Sequence, residues 1–431
     1  MVADRNALLV HSPEKIIYHI DVNSAFLSWS AIERLRTGHE TDLRTIPAVV
    51  GGSEESRHGI VLAKSIPAKK YGIETGEPLI KARQKCEGLV VVPPDYELYV
   101  RNSRALMEIL HTYAPFVQQY SIDEAFVDMT GTVALYGRPM IFAECLKNLI
   151  KRELGFTVNI GVGHNRIMAK MASDFKKPDR VHSLFPWEIK SKMWPLPVRD
   201  LFYVGGATER KLHTLGIRTI GQLAQSDPRI IRSYLKKHGL MIWQFANGIE
   251  LDTDIVFAGM EQPANKGYGN GMTVPRDVTT REGAHMVILS LCETIGARMR
   301  ADKAMIRVVA VSITDYEFHH VSRQMTLLST TDITLQIYEA ACKVFDQLWD
   351  GSPIRQLTVH TAQATQNNFR QYNLFDGYRY DKQEKLDVAI DEIRGRYGED
   401  AVIRARFIGG GYDHMAGGLD KAKRTGMTKG V

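Results

Sequence analysis

The sequence predicts an α+β protein of several domains, and three observations carry that expectation. Residues 16–185 alternate short apolar runs with segments of helical periodicity. Residues 186–250 become purely helical and short, as in a small separate module. From 263 to 365 the runs order themselves as βαββαβ. At 431 residues the chain is too long for one ordinary core.

In order, Ile16–Ile20 reads as a strand closed by Asp21, and Ala25 to about Leu35 as a helix. Ala48–Gly52 and Gly59–Ala63 read as short strands, followed by a basic segment from Lys64 to Tyr71. Tyr96–Tyr113 has its apolar residues near helical spacing. Two apolar runs, Phe116–Ile122 and Ala125–Met129, meet at the adjacent carboxylates Asp123 and Glu124. A helix over Pro139–Leu154 precedes the strand Phe156–Gly163. Asn165 then caps a helix with Ile167, Met168, Met171, Ala172 and Phe175 on one face, and Arg166, Lys170, Lys176 and Lys177 elsewhere; Pro178 ends it. Residues 251–262 read as a linker. Strands at 267–272, 305–313, 321–327 and 354–361 and helices at 280–301 and 332–348 make the last βαββαβ unit. A polar stretch, one more helical piece and a Gly/Lys-rich disordered tail complete the chain.

Composition narrows the function only loosely. With 44% hydrophobic and 24% charged residues the chain is that of a soluble globular protein, and a net charge of +6 permits an anionic partner without requiring one. Cys86, Cys145, Cys292 and Cys342 are scattered, at neither zinc-ligand nor disulfide-framework spacing. No apolar run approaches a membrane span, so a cytoplasmic protein with no membrane partner is expected.

Three carboxylates at strand ends, Asp21, Asp123 and Glu124, are the donors that a pair of hard divalent cations needs for phosphoryl or nucleotidyl transfer. Spacing alone favours a solvated hairpin tip instead. The surrounding segments decide between the two. Asp21-Val22-Asn23-Ser24-Ala25-Phe26, Tyr120-Ser121-Ile122-Asp123-Glu124-Ala125-Phe126 and the whole of Gly161 to Pro178 resemble, in order, the motifs of Y-family DNA polymerases. The resemblance is collinear from Ile16 to Phe375.

That resemblance implies a right-hand fold: a ferredoxin-like palm at 1–30 and 80–185, small fingers at 31–79, a thumb with a helix-hairpin-helix at 186–250, and a little finger at 263–365. Residues 366–431 would be a C-terminal extension. It implies template-directed DNA synthesis with two Mg²⁺ ions, across damaged template, in DNA repair and the SOS response. Asp21, Asp123 and Glu124 would be catalytic and, with the Val22 carbonyl, hold the metals. Asn23, Ser24, Ala25 and Phe26 would meet the deoxynucleoside triphosphate at a helix start, with Phe26 as the steric gate against a ribose hydroxyl. Lys69 and Lys177 would bind phosphates; Lys69 stands where the family has Arg and lacks its bidentate geometry. The resemblance is to the bacterial branch that includes DNA polymerase IV and the catalytic subunit of DNA polymerase V, and Ala63 and Ile66, where many members carry Thr and Tyr, lie nearer the latter.

For primer–template DNA, Gly205, Gly206, Thr208 and Lys211 resemble a helix-hairpin-helix, with Tyr203 in place of its first glycine. Arg307, His319, His320, Arg323 and Arg355 would line one face of the little-finger sheet. Gln371-Tyr372-Asn373-Leu374-Phe375 resembles a sliding-clamp docking peptide, carried by Gln371, Leu374 and Phe375. Without the resemblance, Phe26 is a core aromatic, Lys177 a helix-end charge and the 201–220 segment a plain αα-hairpin. An accessory subunit is a further expected partner. Two other classes stay open: a catalytically weak, polymerase-like accessory protein of a translesion complex, and another two-metal enzyme on a related palm.

Overall fold

A computed structural model describes residues 15–52, 59–250, 265–366, 377–409 and 411–415. The linker at 251–262 and the Gln371–Phe375 peptide lie outside them.

Along the chain, β1 (Ile17–Val22) leads into α1 (Ala25–Arg36), then β2 (Ala48–Gly51), β3 (Val61–Lys64), α2 (Ile66–Lys70), α3 (Leu79–Lys85) and β4 (Val90–Val92). Next come α4 (Tyr96–Tyr113), β5 (Phe116–Gln119), β6 (Glu124–Asp128), α5 (Val133–Tyr136), α6 (Pro139–Leu154), β7 (Val158–Gly163), α7 (Arg166–Asp174) and β8 (Val181–Leu184). Short helical turns lead to α8 (Gly206–Thr214), α9 (Ile220–Gln225) and α10 (Pro228–Ala246), the last broken at Lys236. The remainder is β9 (Gly269–Val278), α11 (Arg281–Ala301), β10 (Ile306–Asp315), β11 (His320–Thr331), α12 (Thr334–Leu348), β12 (Ile354–Ala362) and α13 (Gly377–Tyr397).

The palm sheet has the order β5-β6-β1-β7-β8. Every residue of β1 is buried, because both faces of this central strand are covered. Tyr18, Ile20 and Val22 join the core formed with α1, α4 and α6, while Ile17 packs with Phe126 and Ala169 beneath α7. Strand alternation therefore puts His19 and Asp21 on the α7 side. α7 lies almost on the backbone of β7: a Cβ at Gly161 would come within 1.8 Å of the Ala169 carbonyl, and one at Gly163 within 2.6 Å of the Ala169 nitrogen. Its outer residues Ile167, Met168, Met171 and Ala172 enter the thumb core with Leu212, Ile220 and Phe245. A helix expected to be amphipathic is thus covered on all sides.

The small sheet, β3-β2-β4, corrects the fingers boundary. The palm was expected to resume at residue 80, but β4 pairs in parallel with β2, and Leu79, Ala82, Cys86 and Leu89 share a core with Val49, Val61 and Ala68. Residues 79–89 therefore pack with the small sheet, while Val90 and Val92 also reach the core of the large one.

The last sheet, β11-β10-β12-β9, carries α11 and α12 on one face in the expected βαββαβ order. α13 then packs back through ion pairs, from Arg300 to Asp387 and Asp391 and from Arg394 to Glu293. Among the described residues no helix is long and apolar enough to cross a membrane.

Candidate active site

Asp21 is the penultimate residue of β1 and Glu124 begins β6, and the two are directly paired across the antiparallel ladder. Directly opposed residues share a face, so both carboxylates point to the α7 side. Asp123 sits in the turn just before, where its carbonyl accepts from the Val22 N–H at 3.0 Å and its carboxylate accepts from the Ser121 hydroxyl at 2.7 Å. The three acids predicted from positions about a hundred residues apart are therefore brought to one sheet end. Their oxygens do not all lie within 4.8 Å of one another; the tighter acidic cluster among the described residues is Asp315, Glu317 and His319, a hairpin turn on the exposed little finger. Each of the three acids is held by its own partner.

Glu124 accepts from Lys170 Nζ through both oxygens, each at 2.9 Å, and His19 Nε2 stands 3.7 Å away. Burial opposes its ionisation, but the Lys170 ammonium, donating to both oxygens, outweighs that and holds the carboxyl at about 2. Asp21 behaves differently. Burial raises it to about 6, reinforced by Glu124 and Asp123 against the pull of its ion pair with Lys177. Lys177 is itself held above the ordinary lysine value: Asp21 and Asp174, its partner at 2.8 Å, overcome the cost of its burial. The phosphate lysine expected from the sequence therefore rests on a carboxylate. Lys170 was expected to lie away from the packed face. It is 7% exposed and points into the site. The signal for it was its spacing: three residues after Ile167 and next to Met171, it shares their buried stretch.

The donor set fits hard divalent cations, being all carboxylate and carbonyl oxygen at one strand end. Asp21, Asp123, Glu124 and the Val22 carbonyl would hold them.

Beside the acids, α1 begins without a side-chain cap. Ser24 precedes it in the left-handed region (φ 47°) and makes no capping hydrogen bond. First-turn N–H groups of α1 are left for an anion. Asn23 is the exception to the expected triphosphate contacts, since its N–H already donates to the Thr157 carbonyl at 3.0 Å. Its side chain accepts from Thr157 Oγ1 and the Asp179 N–H and donates to Asn159, tying β1 to β7 and to the loop after α7. Phe26 is half-buried and lies flat on Tyr99, with ring centroids 4.3 Å apart and planes 7° apart. Lys69 is exposed on α2, the short fingers helix capped by Ser65.

In the thumb, Gly205 caps α8, and a Cβ at Gly205 or Gly206 would meet open space. Tyr203 adopts φ 69°, the left-handed conformation a hairpin glycine would take. Lys211 is exposed; the Thr208 hydroxyl lies 3.4 Å from His238 Nε2. The little-finger cations do not all share a face. Arg323 opposes Val311, which packs under the helices, whereas His320 opposes Thr314 on the other side. Arg307 and Arg355 sit at register shifts, and the Arg355 guanidinium covers the Phe318 ring at 4.6 Å. Hydroxyls and amides fill the helix-free face, with Ser312 opposite Ser322 and Thr358, and Gln324 and His360 opposite Ala310.

Three family models match in the order of these parts: the impB/mucB/samB family over residues 20–174, the helix-hairpin-helix motif of the same family over 187–217, and its C-terminal domain over 265–374. The chain belongs to the Y family of DNA polymerases. The DNA polymerase IV of Clostridium acetobutylicum is 43% identical over 91% of this chain and 98% of its own, and that of Acetivibrio thermocellus 37% identical over 91% and 97%. Both relatives are named DNA polymerase IV, within the bacterial branch expected from the sequence. A chimaeric Y-family polymerase of known structure shares the fold with a TM-score of 0.68, at 20% identity, over 82% of this chain and all of its own. The Y-family polymerase described here therefore has the expected palm, thumb hairpin and little finger.

Proposed function

We propose that this Y-family polymerase extends a primer on damaged as well as intact template by a two-Mg²⁺ mechanism. The reading is carried by the pairing of Asp21 with Glu124 at the strand end beside the uncapped start of α1. Bound Mg²⁺ would supply Lewis-acid activation of the primer hydroxyl and charge neutralisation at the leaving phosphates. Asp21, Asp123 and the Val22 carbonyl would hold the ion on the nucleotide side, and Glu124 the ion at the primer end. The N–H groups at the start of α1 would orient the triphosphate, with Lys177 turning to it from Asp21, and Lys69 reaching from the fingers. Phe26, stacked on Tyr99, would lie under the sugar and exclude a 2′ hydroxyl. The thumb hairpin at Gly205–Gly206, with Lys211, and the polar sheet face of the little finger would grip the DNA backbone without reading sequence. Gln371, Leu374 and Phe375 would dock on a sliding clamp, and an accessory subunit would assist in SOS-induced repair.

Primer extension with Mg²⁺ tests this reading, comparing the native protein with Asp123→Ala on templates with and without an abasic site. Extension past the site by native protein alone is expected. Failure of the native protein to extend any primer would overturn the reading. The clamp assignment has its own arm: added clamp should raise native extension and leave a Leu374→Ala/Phe375→Ala variant unmoved.

A further inference from the structure

Lys170 is buried between palm and thumb, and five groups converge on its ammonium or carbonyl. Nζ reaches both oxygens of Glu124 at 2.9 Å and His19 Nε2 at 3.5 Å. The Tyr120 and Phe202 rings close over it at 5.3 and 5.0 Å from their centroids. The Ser173 hydroxyl donates to the Lys170 carbonyl at 2.7 Å. Its proton is thereby used, so it accepts from His19 Nδ1–H at 2.8 Å. That choice of tautomer leaves the His19 lone pair on Nε2, facing the ammonium. Phe202 comes from the thumb, in the turn that precedes the Gly205–Gly206 hairpin, and touches Tyr203 and Tyr120 edge-on.

We infer that Lys170 is a positioning residue: it presents Glu124 to the primer-side metal in one orientation, weakens that carboxylate's hold on the ion, and ties the orientation to the thumb hairpin through Phe202. The inference rests on Glu124 being a metal ligand. Each carboxylate oxygen has two lone pairs, and Lys170 occupies one on each, so the others remain for a cation. A fixed ammonium beside them opposes that cation by Coulomb repulsion while keeping the carboxylate from rotating.

The test titrates Mn²⁺ by electron paramagnetic resonance on the full chain with primer–template, alongside steady-state extension. Lys170→Met should bind Mn²⁺ about tenfold tighter yet lose about a hundredfold in kcat, with the nucleotide KM little changed. Lys170→Arg keeps the charge and should restore both values to near native. Phe202→Leu should lower kcat several-fold, about fivefold, at native Mn²⁺ affinity. Lys170→Met that binds Mn²⁺ no tighter than native, or retains full kcat, overturns the inference, as does failure of Lys170→Arg to rescue. Should Lys170→Met not fold, native kcat in Phe202→Leu would overturn it alone. Glu124→Gln separates the two levels: Mn²⁺ binding unaffected by that change would mean Glu124 is no ligand, whatever Lys170 does.

Discussion

At the scale of single residues, the acids were legible and their partners were not. Asp21, Asp123 and Glu124 stand at the ends of apolar runs, where strand geometry exposes them. Lys170 sits in a helix whose pattern reads as amphipathic, and only packing from both sides places its ammonium on Glu124. Glu124→Gln should cut extension more than about a hundredfold, since even residues behind metal ligands cost ten to a hundredfold; single-turnover kinetics will measure it. Phe26→Ala should raise ribonucleotide incorporation, read from competition between dNTP and rNTP, and unchanged selectivity would remove the gate from Phe26. Protonation gives a further handle. Asp21, pushed up to about 6, accepts a proton as pH falls through that value, so Mg²⁺ affinity should weaken between about pH 7 and 5.5. Glu124, held at about 2, stays ionised throughout. The same shifts act oppositely on stability. Glu124 contributes stability present above about pH 4.5 and lost as pH falls towards 2, whereas burying ionised Asp21 costs stability as pH rises from about 4 through 6. Calorimetric Mg²⁺ titrations across this range will check the affinity.

At the scale of elements, long segments with a clear period were readable and close approaches were not. The βαββαβ order followed from periodicity alone. The parallel pairing of three-residue β4 with β2 is a long-range contact, so nothing local separated residues 80–89 from the palm. Face assignment failed in β11 because Arg323 and His320 are three residues apart, and an odd separation puts them on opposite faces. The glycines of β7 matter for the seating of α7. Gly161→Ala would drive a methyl into the Ala169 carbonyl, and overpacking against backbone should cost about 3 kcal/mol in urea unfolding. α13 reverses the usual pattern. It buries Asp387 and Arg394 against α11 and leaves Leu386 and Tyr397 exposed. Asp387 accepts from the Thr334 N–H at 2.8 Å and pairs with Arg300 and Arg404. Asp387→Ala leaves Arg300 with Asp391 and Arg404 with Glu293 but strips the buried Thr334 N–H of its acceptor, and should destabilise the packing of α13 by about 2 kcal/mol. Hydrogen exchange confined to α13 and the start of α12 will show it.

At the scale of the whole molecule, the net charge of +6 is modest, and the proposed metal site gathers three acids while the proposed DNA contacts include the exposed Lys211. Binding to primer–template should fall steeply with salt on logarithmic axes, and Lys211→Ala should reduce that slope by about one if it neutralises one phosphate. Fluorescence anisotropy over a salt series gives the slope. The fold joins the proposed DNA grip to the proposed site of chemistry through α7, whose two faces belong to the palm and to the thumb. Everything turns on the three carboxylates where the end of β1 meets the start of β6. The most direct measurement is anomalous scattering from Mn²⁺ in crystals of the protein with primer–template and an incoming non-hydrolysable dNTP. Two peaks are predicted, one shared by Asp21, Asp123 and the Val22 carbonyl and one within reach of Glu124. Ions bound elsewhere, or none touching Asp21 and Glu124, would contradict the account.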